Sequence, residues 1–343
     1  MDLYEKLKKG TYMIAEMSGN HNGNKEKALE IIRAAAQAGA DCIKIQTYTP
    51  DTLTIDCNNQ YFQVQNGTWE GENLYSLYGK AYTPWEWQAE LKQEAERLGL
   101  DFLSTPFDIT SVDFLEELGM EYYKIASFEL VDIPLIKYIA NTGKPIILST
   151  GMSSVTEIEE ALAAIRSQGK NNQVVLLKCS SAYPAISEDM HLATIEDMKK
   201  RFGVPIGLSD HTLGDLSAII AVSMGAEVVE KHFCMDRSEG GPDASFSMEP
   251  AEYKAMVEHI RQVEKAKGQV QYGVTKQEES SMVFRRSLFV VEDMKRGEPF
   301  TEKNLRSIRP GYGIPPKYYE EVLGKTATQD ISRGTPLRFE HFN

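Results

Sequence analysis

The chain has 343 residues, 42% hydrophobic and 25% charged, which is room for one large domain plus a small one and ordinary for a globular fold. A formal net charge of −13 disfavours a nucleic-acid partner, because phosphate backbones are bound by basic faces. No apolar run approaches the ~20 residues of a membrane helix, Met1–Gly10 is too charged for a secretory signal, and Cys42, Cys57, Cys179 and Cys234 lack CxxC spacing, so a cytoplasmic protein with free thiols and no membrane partner is expected.

Short β-rich runs recur in chain order at Tyr12–Glu16, Cys42–Gln46, Phe102–Ser104, Tyr122–Ile125, Pro145–Ser149, Val174–Cys179, Ile206–Ser209 and Val228–His232. Helix-like segments lie between them, including Lys25–Ala38, Pro84–Leu98, Val155–Ser167 and Pro250–Ala266. Eightfold strand–helix alternation predicts a TIM (β/α)8 barrel over residues 1–267. A doubly wound open sheet is the alternative, but the first strand lacks a GxGxxG turn. The long interval Thr47–Tyr82 carries Tyr48, Tyr61, Phe62, Trp69, Tyr75 and Tyr78; so long a loop in a compact domain predicts a lid or a dimer contact.

The polar stretch Gly268–Ser281 reads as a linker, placed at 268–282, ahead of a small domain over 283–343. Inside that domain Glu292-Asp-Met-Lys-Arg-Gly-Glu-Pro-Phe300 echoes Gln329-Asp-Ile-Ser-Arg-Gly-Thr-Pro-Leu337. Two similar β–turn units predict a pseudo-symmetric β module.

In a TIM barrel the carboxyl ends of the strands build the site, so the polar residue closing each run is a candidate. His211 in Ser209-Asp-His211 and His232 in Glu230-Lys-His-Phe233 lie about one strand–helix–strand step apart. Either histidine alone reads most simply as a hydrogen-bonded core residue. Together, at matched strand ends, they point to a divalent metal with positions left open for substrate and water. The other ends carry Glu16, Ser18, Asn20 and His21; Lys44 and Gln46; Ser104 and Thr105; Lys124 and Ser127; Ser149 and Thr150; Lys178, Ser180, Ser181 and Tyr183. Alternation turns Lys44 and Gln46 to the interior, as it does Glu230 and His232. Lysines and hydroxyls converging on one mouth suit a phosphate or carboxylate. A lone Ser or Thr there more simply caps the next helix. A barrel lysine is costly to bury without a partner, so Lys44 and Lys124 are expected to be paired only when an anionic substrate arrives. Glu16 is a candidate acid, base or acceptor, or else a salt-bridge partner of one of those lysines.

These residues resemble a known family. Ile14-Ala-Glu-Met-Ser-Gly-Asn-His-Asn-Gly23, Ile43-Lys-Ile-Gln46, Ser104-Thr-Pro-Phe107, Tyr123-Lys-Ile-Ala-Ser127, Ile147-Leu-Ser-Thr-Gly-Met152, Gly207-Leu-Ser-Asp-His-Thr212, Glu230-Lys-His-Phe233 and Gly241-Pro-Asp243 look like motifs of the sialic acid synthases. Arg285-Arg-Ser-Leu288 and Arg309-Pro-Gly311 look like the family's C-terminal antifreeze-like (SAF, β-clip) domain. Gln46-Thr-Tyr-Thr-Pro-Asp-Thr-Leu-Thr54 and Ala81-Tyr-Thr-Pro-Trp-Glu-Trp87 look most like its pseudaminate branch, with the N-acetylneuraminate and legionaminate branches as alternatives.

The resemblance implies condensation of phosphoenolpyruvate with an open-chain amino-sugar aldehyde, giving a nine-carbon 2-keto acid and phosphate. It implies phosphoenolpyruvate on Lys44, Thr105, Lys124, Ser127, Ser149 and Ser209, and a divalent ion on His211 and His232, Mn2+ first with Mg2+ or Co2+ as alternatives. Glu16 and Asp243 match the family's sugar- and water-handling carboxylates, with His232 also counted as catalytic, and Gln46 and Tyr183 match its sugar contacts. Arg309 is implied to reach the sugar pocket of the other chain in a domain-swapped homodimer. Where neuraminate synthases carry Asn two residues before the tyrosine corresponding to Tyr183, this chain has Ser181; a 2,4-diacetamido-2,4,6-trideoxy-altrose is therefore expected over N-acetylmannosamine. The rivals are another metal-dependent TIM-barrel enzyme, such as an aldolase or hydrolase, and a non-catalytic glycan- or ice-binding protein suggested only by the tail module.

Overall fold

Eight parallel strands close into a barrel, each hydrogen-bonded to the next in chain order and the last to the first. They are β1 (Tyr12–Glu16), β2 (Cys42–Thr47), β3 (Asp101–Pro106), β4 (Tyr123–Ile125), β5 (Ile146–Ser149), β6 (Val174–Cys179), β7 (Ile206–Asp210) and β8 (Val228–His232). The computed structural model that describes them covers residues 2–343 and separates into two compact units dividing between Gly268 and Gln269. Among the described residues no helix is long and apolar enough to cross a membrane.

The strands are almost entirely buried, as a sheet covered on both faces requires. Ile14, Cys42, Leu103, Tyr122, Ile147, Val175, Leu177 and Val228 fill the lower interior, and Leu3 and Leu7 of the helix Leu3–Leu7 pack against the same cluster. Because strand side chains alternate, the next inward position along each row is two residues further. Ile14 is thus followed by Glu16, Cys42 by Lys44, Leu103 by Thr105, Tyr122 by Lys124, Ile147 by Ser149, Leu177 by Cys179 and Val228 by Glu230. The interior rows change from apolar to polar at one height, which makes the carboxyl end a polar cup on an apolar plug.

The outward-facing strand side chains pack against the helices in one continuous core. Helix starts follow local capping: Asn24 accepts from the Lys27 amide, Asp108 from Ser111, and Ser154 forms a capping box with Glu157. Two strand starts fall one residue later than the sequence reading. Pro145 has no amide to donate, and its carbonyl instead accepts from Tyr123. β2 and β3 run further than expected because Thr47 and Pro106 still pair in the ladder.

The long interval after β2 is structured, with helices Pro50–Leu53 and Leu74–Ala81 and a 3-10 turn Gln60–Phe62. Its middle lies across the barrel mouth. Thr68 donates to the Tyr183 carbonyl, and Trp69 Nε1 donates to the Pro242 carbonyl at 2.8 Å. That is the position a lid occupies.

The second unit contains the antiparallel pair β9 (Ser287–Val290) and β10 (Leu305–Ile308) over a core that includes Leu288, Val290, Phe300, Leu305, Val322 and Leu337. The two echoed segments pair with each other at Met294 and Ile331. Their contacts are reciprocal: Asp330 accepts from the Arg296 amide and Asp293 from the Arg333 amide. Gly297 and Gly334 take the same left-handed turn conformation, φ 86° and 87°, which glycine adopts without steric penalty.

Candidate active site

Two imidazoles stand at adjacent strand ends. The His211 and His232 ring centroids are 5.3 Å apart, with Glu16 directly opposite His232 in the β1–β8 register. His211 Nδ1 lies 2.8 Å from the Ser180 carbonyl, to which it donates, so the lone pair is on Nε2. Cys179 Sγ is 3.8 Å from the same Nδ1. Burial, then the neighbouring His211 and the nearby lysines, hold His232 well below its usual range, and its buried Nδ1 has no hydrogen-bond partner. For His211 burial acts downward, but the Cys179 thiol and Ser180 carbonyl outweigh it and the net shift is upward. No cluster of three or more His, Cys, Asp or Glu side chains arranged to hold a metal occurs among the described residues, so the histidines stand as a pair. A pair with one tautomer set by a carbonyl and one orphaned ring nitrogen fits a divalent ion completed by substrate and water.

The anion-facing side holds two lysines and two carboxylates. Lys44 Nζ is 2.7 Å from Glu16 Oε2, 3.6 Å from Glu230 Oε1 and 3.4 Å from Thr105 Oγ1. Lys124 Nζ donates to Ser149 Oγ at 2.6 Å and to the Ile125 carbonyl at 3.3 Å, with Glu230 Oε1 at 3.7 Å. The expectation that these cations are paired only on substrate arrival is thereby corrected. Burying an ammonium costs several kcal/mol, and the fold itself answers that with Glu16, Glu230 and Ser149. Ser209 donates to Glu230 at 3.2 Å, and Ser127 Oγ accepts from the Gly151 amide at 3.0 Å. Burial, helped by the Lys44 charge, lowers Lys124. Burial and the nearby Glu230 raise Glu16 against the pull of Lys44.

The sugar-side candidates form a second chain. Gln46 Nε2 donates to Glu16 Oε1 at 3.1 Å and to Ser18 Oγ at 3.0 Å, and Ser18 donates onward to Asp243. Burial raises the Asp243 carboxyl. The Tyr183 ring lies 4.4 Å from His211 and 5.4 Å from Trp69, and Phe246 closes on His232 at 4.9 Å. Ser181 Oγ is buried without a partner, beside Gly151 and Ser127. A Cβ on Gly151 would sit 2.3 Å from that oxygen and 2.8 Å from Ser127 Oγ, so any larger residue there would displace both hydroxyls. Arg309 lies in the second unit, exposed, on a turn where Ser287 Oγ donates to the Pro310 carbonyl at 2.7 Å.

Other residues were passed over or left without a role. Asn20 and His21 turn out to brace the loop after β1: Asn20 donates to the Phe233 carbonyl, and His21 meets Thr83 at 3.2 Å and Trp87 edge-on. Glu129, in the 3-10 turn after β4, has a buried Oε2 with no partner and a carboxyl pushed up to about 7 by burial. It lies two residues past Ser127, and the one signal in the sequence that could have found it is a carboxylate inside the apolar run Phe128–Val131. Cys179 and Glu230 were visible from row alternation alone, since each continues an interior row.

The sequence matches the NeuB family over residues 31–272 and the SAF domain over residues 285–343. It is 43% identical over 334 residues to the pseudaminic acid synthase of Campylobacter jejuni subsp. jejuni serotype O:23/36, covering 97% of each chain. It is 38% identical over 333 residues to the N,N'-diacetyllegionaminic acid synthase of Campylobacter jejuni subsp. jejuni serotype O:2, covering 96% of this chain and 99% of that one. Among solved structures, the N-acetylneuraminic acid synthetase of Leptospira borgpetersenii serovar Hardjo-bovis in complex with citrate superposes with a TM-score of 0.71 at 32% identity, covering 80% of this chain and 90% of that one.

Proposed function

The chain belongs to the NeuB family, and we propose that within it the protein condenses phosphoenolpyruvate with open-chain 2,4-diacetamido-2,4,6-trideoxy-altrose to the nine-carbon 2-keto acid of the pseudaminate series, releasing phosphate. The observation that carries this reading is the pairing of Lys44 and Lys124 around Glu230 in the barrel that also presents His211 and His232. A phosphoenolpyruvate phosphate and carboxylate need separate donors. Lys44 with Thr105 supplies one set, and Lys124 with Ser127, Ser149 and Ser209 the other.

His211 and His232 would hold a divalent ion, Mn2+ first with Mg2+ or Co2+ as alternatives, which supplies Lewis acidity toward an aldehyde oxygen. Phosphoenolpyruvate C3 forms the new bond to the aldehyde carbon, the aldehyde oxygen takes a proton, water adds at C2 and the C2–O bond to phosphate breaks. Glu16 and Asp243, both raised by burial, are the carboxyls placed to hold and pass those protons. Gln46 orients Glu16, Tyr183 walls the sugar beside His211, and Ser181 keeps a free hydroxyl for it.

The pseudaminate branch is favoured by Gln46–Thr54 and Ala81–Trp87, and by higher identity to the pseudaminate relative than to the legionaminate one. A site built around two acetamido groups leaves polar groups unpaired when one is missing, so the trideoxy sugar should be far preferred to N-acetylmannosamine. Arg309 is assigned to the partner's sugar pocket in a domain-swapped homodimer. The cytoplasm is the proposed compartment, in keeping with four cysteines that are all free thiols. Mass spectrometry of products from a panel of amino-sugars, with phosphate release measured in parallel, tests the reading. Equal specificity constants for the trideoxy sugar and N-acetylmannosamine would refute the branch; no phosphate release with any of them would refute the chemistry.

A further inference from the structure

Two polar residues of the strand-end motifs have no place in the chemistry above: Asp210, before His211, and Lys231, before His232. Strand alternation turns both away from the barrel interior, and they pair directly across the β7–β8 ladder. Lys231 Nζ lies 2.7 Å from Asp210 Oδ2, and both side chains have 0% exposure. The remaining Lys231 protons go to the Thr212 carbonyl and, at 3.0 Å, the Gly214 carbonyl. Asp210 Oδ1 accepts the Thr212 amide at 2.9 Å and the Thr212 hydroxyl at 2.8 Å. Four further hydrogen bonds from Thr212 and Gly214 therefore converge on one buried ion pair, and the turn they close is the one that carries His211.

A buried ion pair is weak support for stability, since apolar residues of similar volume often serve as well or better. Its better-supported use is to select one arrangement among several. Here a single ammonium, attached one residue before His232, grips the His211 turn through its own carbonyls. We infer that Lys231 and Asp210 form a clasp that positions His211 against His232, so that the two rings can share one divalent ion. The inference rests on the metal reading of the histidine pair. It assigns Lys231 and Asp210 as positioning residues that touch neither metal nor substrate.

The test is the paired variant Asp210→Asn/Lys231→Met. Asn keeps the Oδ1 acceptor for Thr212, and Met keeps the apolar stem, so no lone charge is left buried; what disappears is the grip on the Thr212 and Gly214 carbonyls. Three quantities are measured on the full-length protein: Mn2+ affinity by calorimetry, phosphoenolpyruvate affinity in the metal-free protein, and amide exchange of residues 211–215 without metal. The clasp requires Mn2+ affinity to fall by about 10- to 100-fold, the range for groups that support metal ligands, faster exchange in the turn, and unchanged phosphoenolpyruvate affinity. Wild-type Mn2+ affinity in the variant overturns it, and so does a parallel loss of phosphoenolpyruvate affinity, which would mark general loosening of the mouth. If the parent protein binds no Mn2+, the metal reading fails, and turn exchange alone decides whether the clasp orders His211. Should the paired variant not fold, Thr212→Val removes only the hydroxyl bond to Asp210 and must weaken Mn2+ binding in the same direction; unchanged affinity there overturns the clasp as well.

Discussion

The Lys44 ammonium stands 2.7 Å from the Glu16 carboxylate with side-chain exposures of 5% and 0%. Lys44 is therefore structural as well as substrate-directed. Lys44→Met leaves Glu16 and Glu230 facing one another without their shared cation, and removal of one partner of a buried pair costs roughly 3–5 kcal/mol. Urea denaturation should show a loss of that order, together with a raised Michaelis constant for phosphoenolpyruvate. Adding Glu16→Gln should return most of the stability and none of the turnover. Unchanged stability in Lys44→Met would show that the ion pair contributes nothing to the fold.

Much of this site was legible because barrel geometry is periodic. Six of the eight strand runs ended in a polar residue, and alternation alone placed Lys44, Gln46, Glu230 and His232 inside. Partnership was not legible: nothing in Ile43-Lys-Ile-Gln46 says that its lysine meets Glu16 from the neighbouring strand, since that depends on register between segments 28 residues apart. Glu129 was passed over because it lies in a 3-10 turn with no period to follow. The clasp of Asp210 and Lys231 was hidden by the histidines beside it, which drew attention to the inward face of the same two strands.

Glu129 predicts a pH dependence of stability. Its carboxyl is pushed up to about 7, burial being the largest cause, with the Lys124 ammonium opposing. A folded-state value above the unfolded one means that the folded protein binds the extra proton. Stability from this group is therefore complete below the unfolded carboxylate range, falls as pH rises from about 4.5 to about 7, and is flat beyond. The full difference is on the order of 3 kcal/mol, at 1.36 kcal/mol per pH unit. Glu129→Gln should flatten that part of the profile and be more stable than the parent at pH 8. A difference profile independent of pH between 4.5 and 7 would rule the buried carboxyl out as the cause.

Metal removal follows from the histidine pair. Exhaustive chelation should abolish turnover, and Mn2+ should restore it. His211→Ala and His232→Ala should each bind Mn2+ much more weakly, since a ring lost from a two-imidazole site leaves one protein ligand. Full activity of His211→Ala after chelation would remove the metal from the mechanism.

Trp69 tests the lid. Its indole donates to the Pro242 carbonyl and lies against Tyr183, so it ties the long loop to the wall beside His211. Trp69→Ala should raise the Michaelis constant for the sugar while leaving that for phosphoenolpyruvate close to the parent value, because the indole meets Pro242, Tyr183 and Phe246 on the sugar side of the mouth. Equal effects on both constants would mean that the loop supports the whole mouth rather than the sugar side.

Arg309 tests the swapped dimer. Between the helix ending at Lys267 and the 3-10 turn beginning at Glu279, residues 268–278 have no helix or strand, and an extended chain of that length spans on the order of 36 Å. Such a tether is long enough for the tail module to serve a neighbouring barrel. In that arrangement an arginine arriving from outside contacts the sugar's polar groups and helps exclude water. An Arg309→Ala chain and a Lys124→Ala chain should each be nearly inactive alone. When they are mixed under conditions that exchange subunits, each mixed dimer has one site with both defects and one with neither. With random reassortment, half of the dimers are mixed and carry one intact site of two, so about a quarter of the parent site number should return. If mixed dimers form, as native mass spectrometry would show, and no activity returns, Arg309 serves its own chain and the swap is wrong.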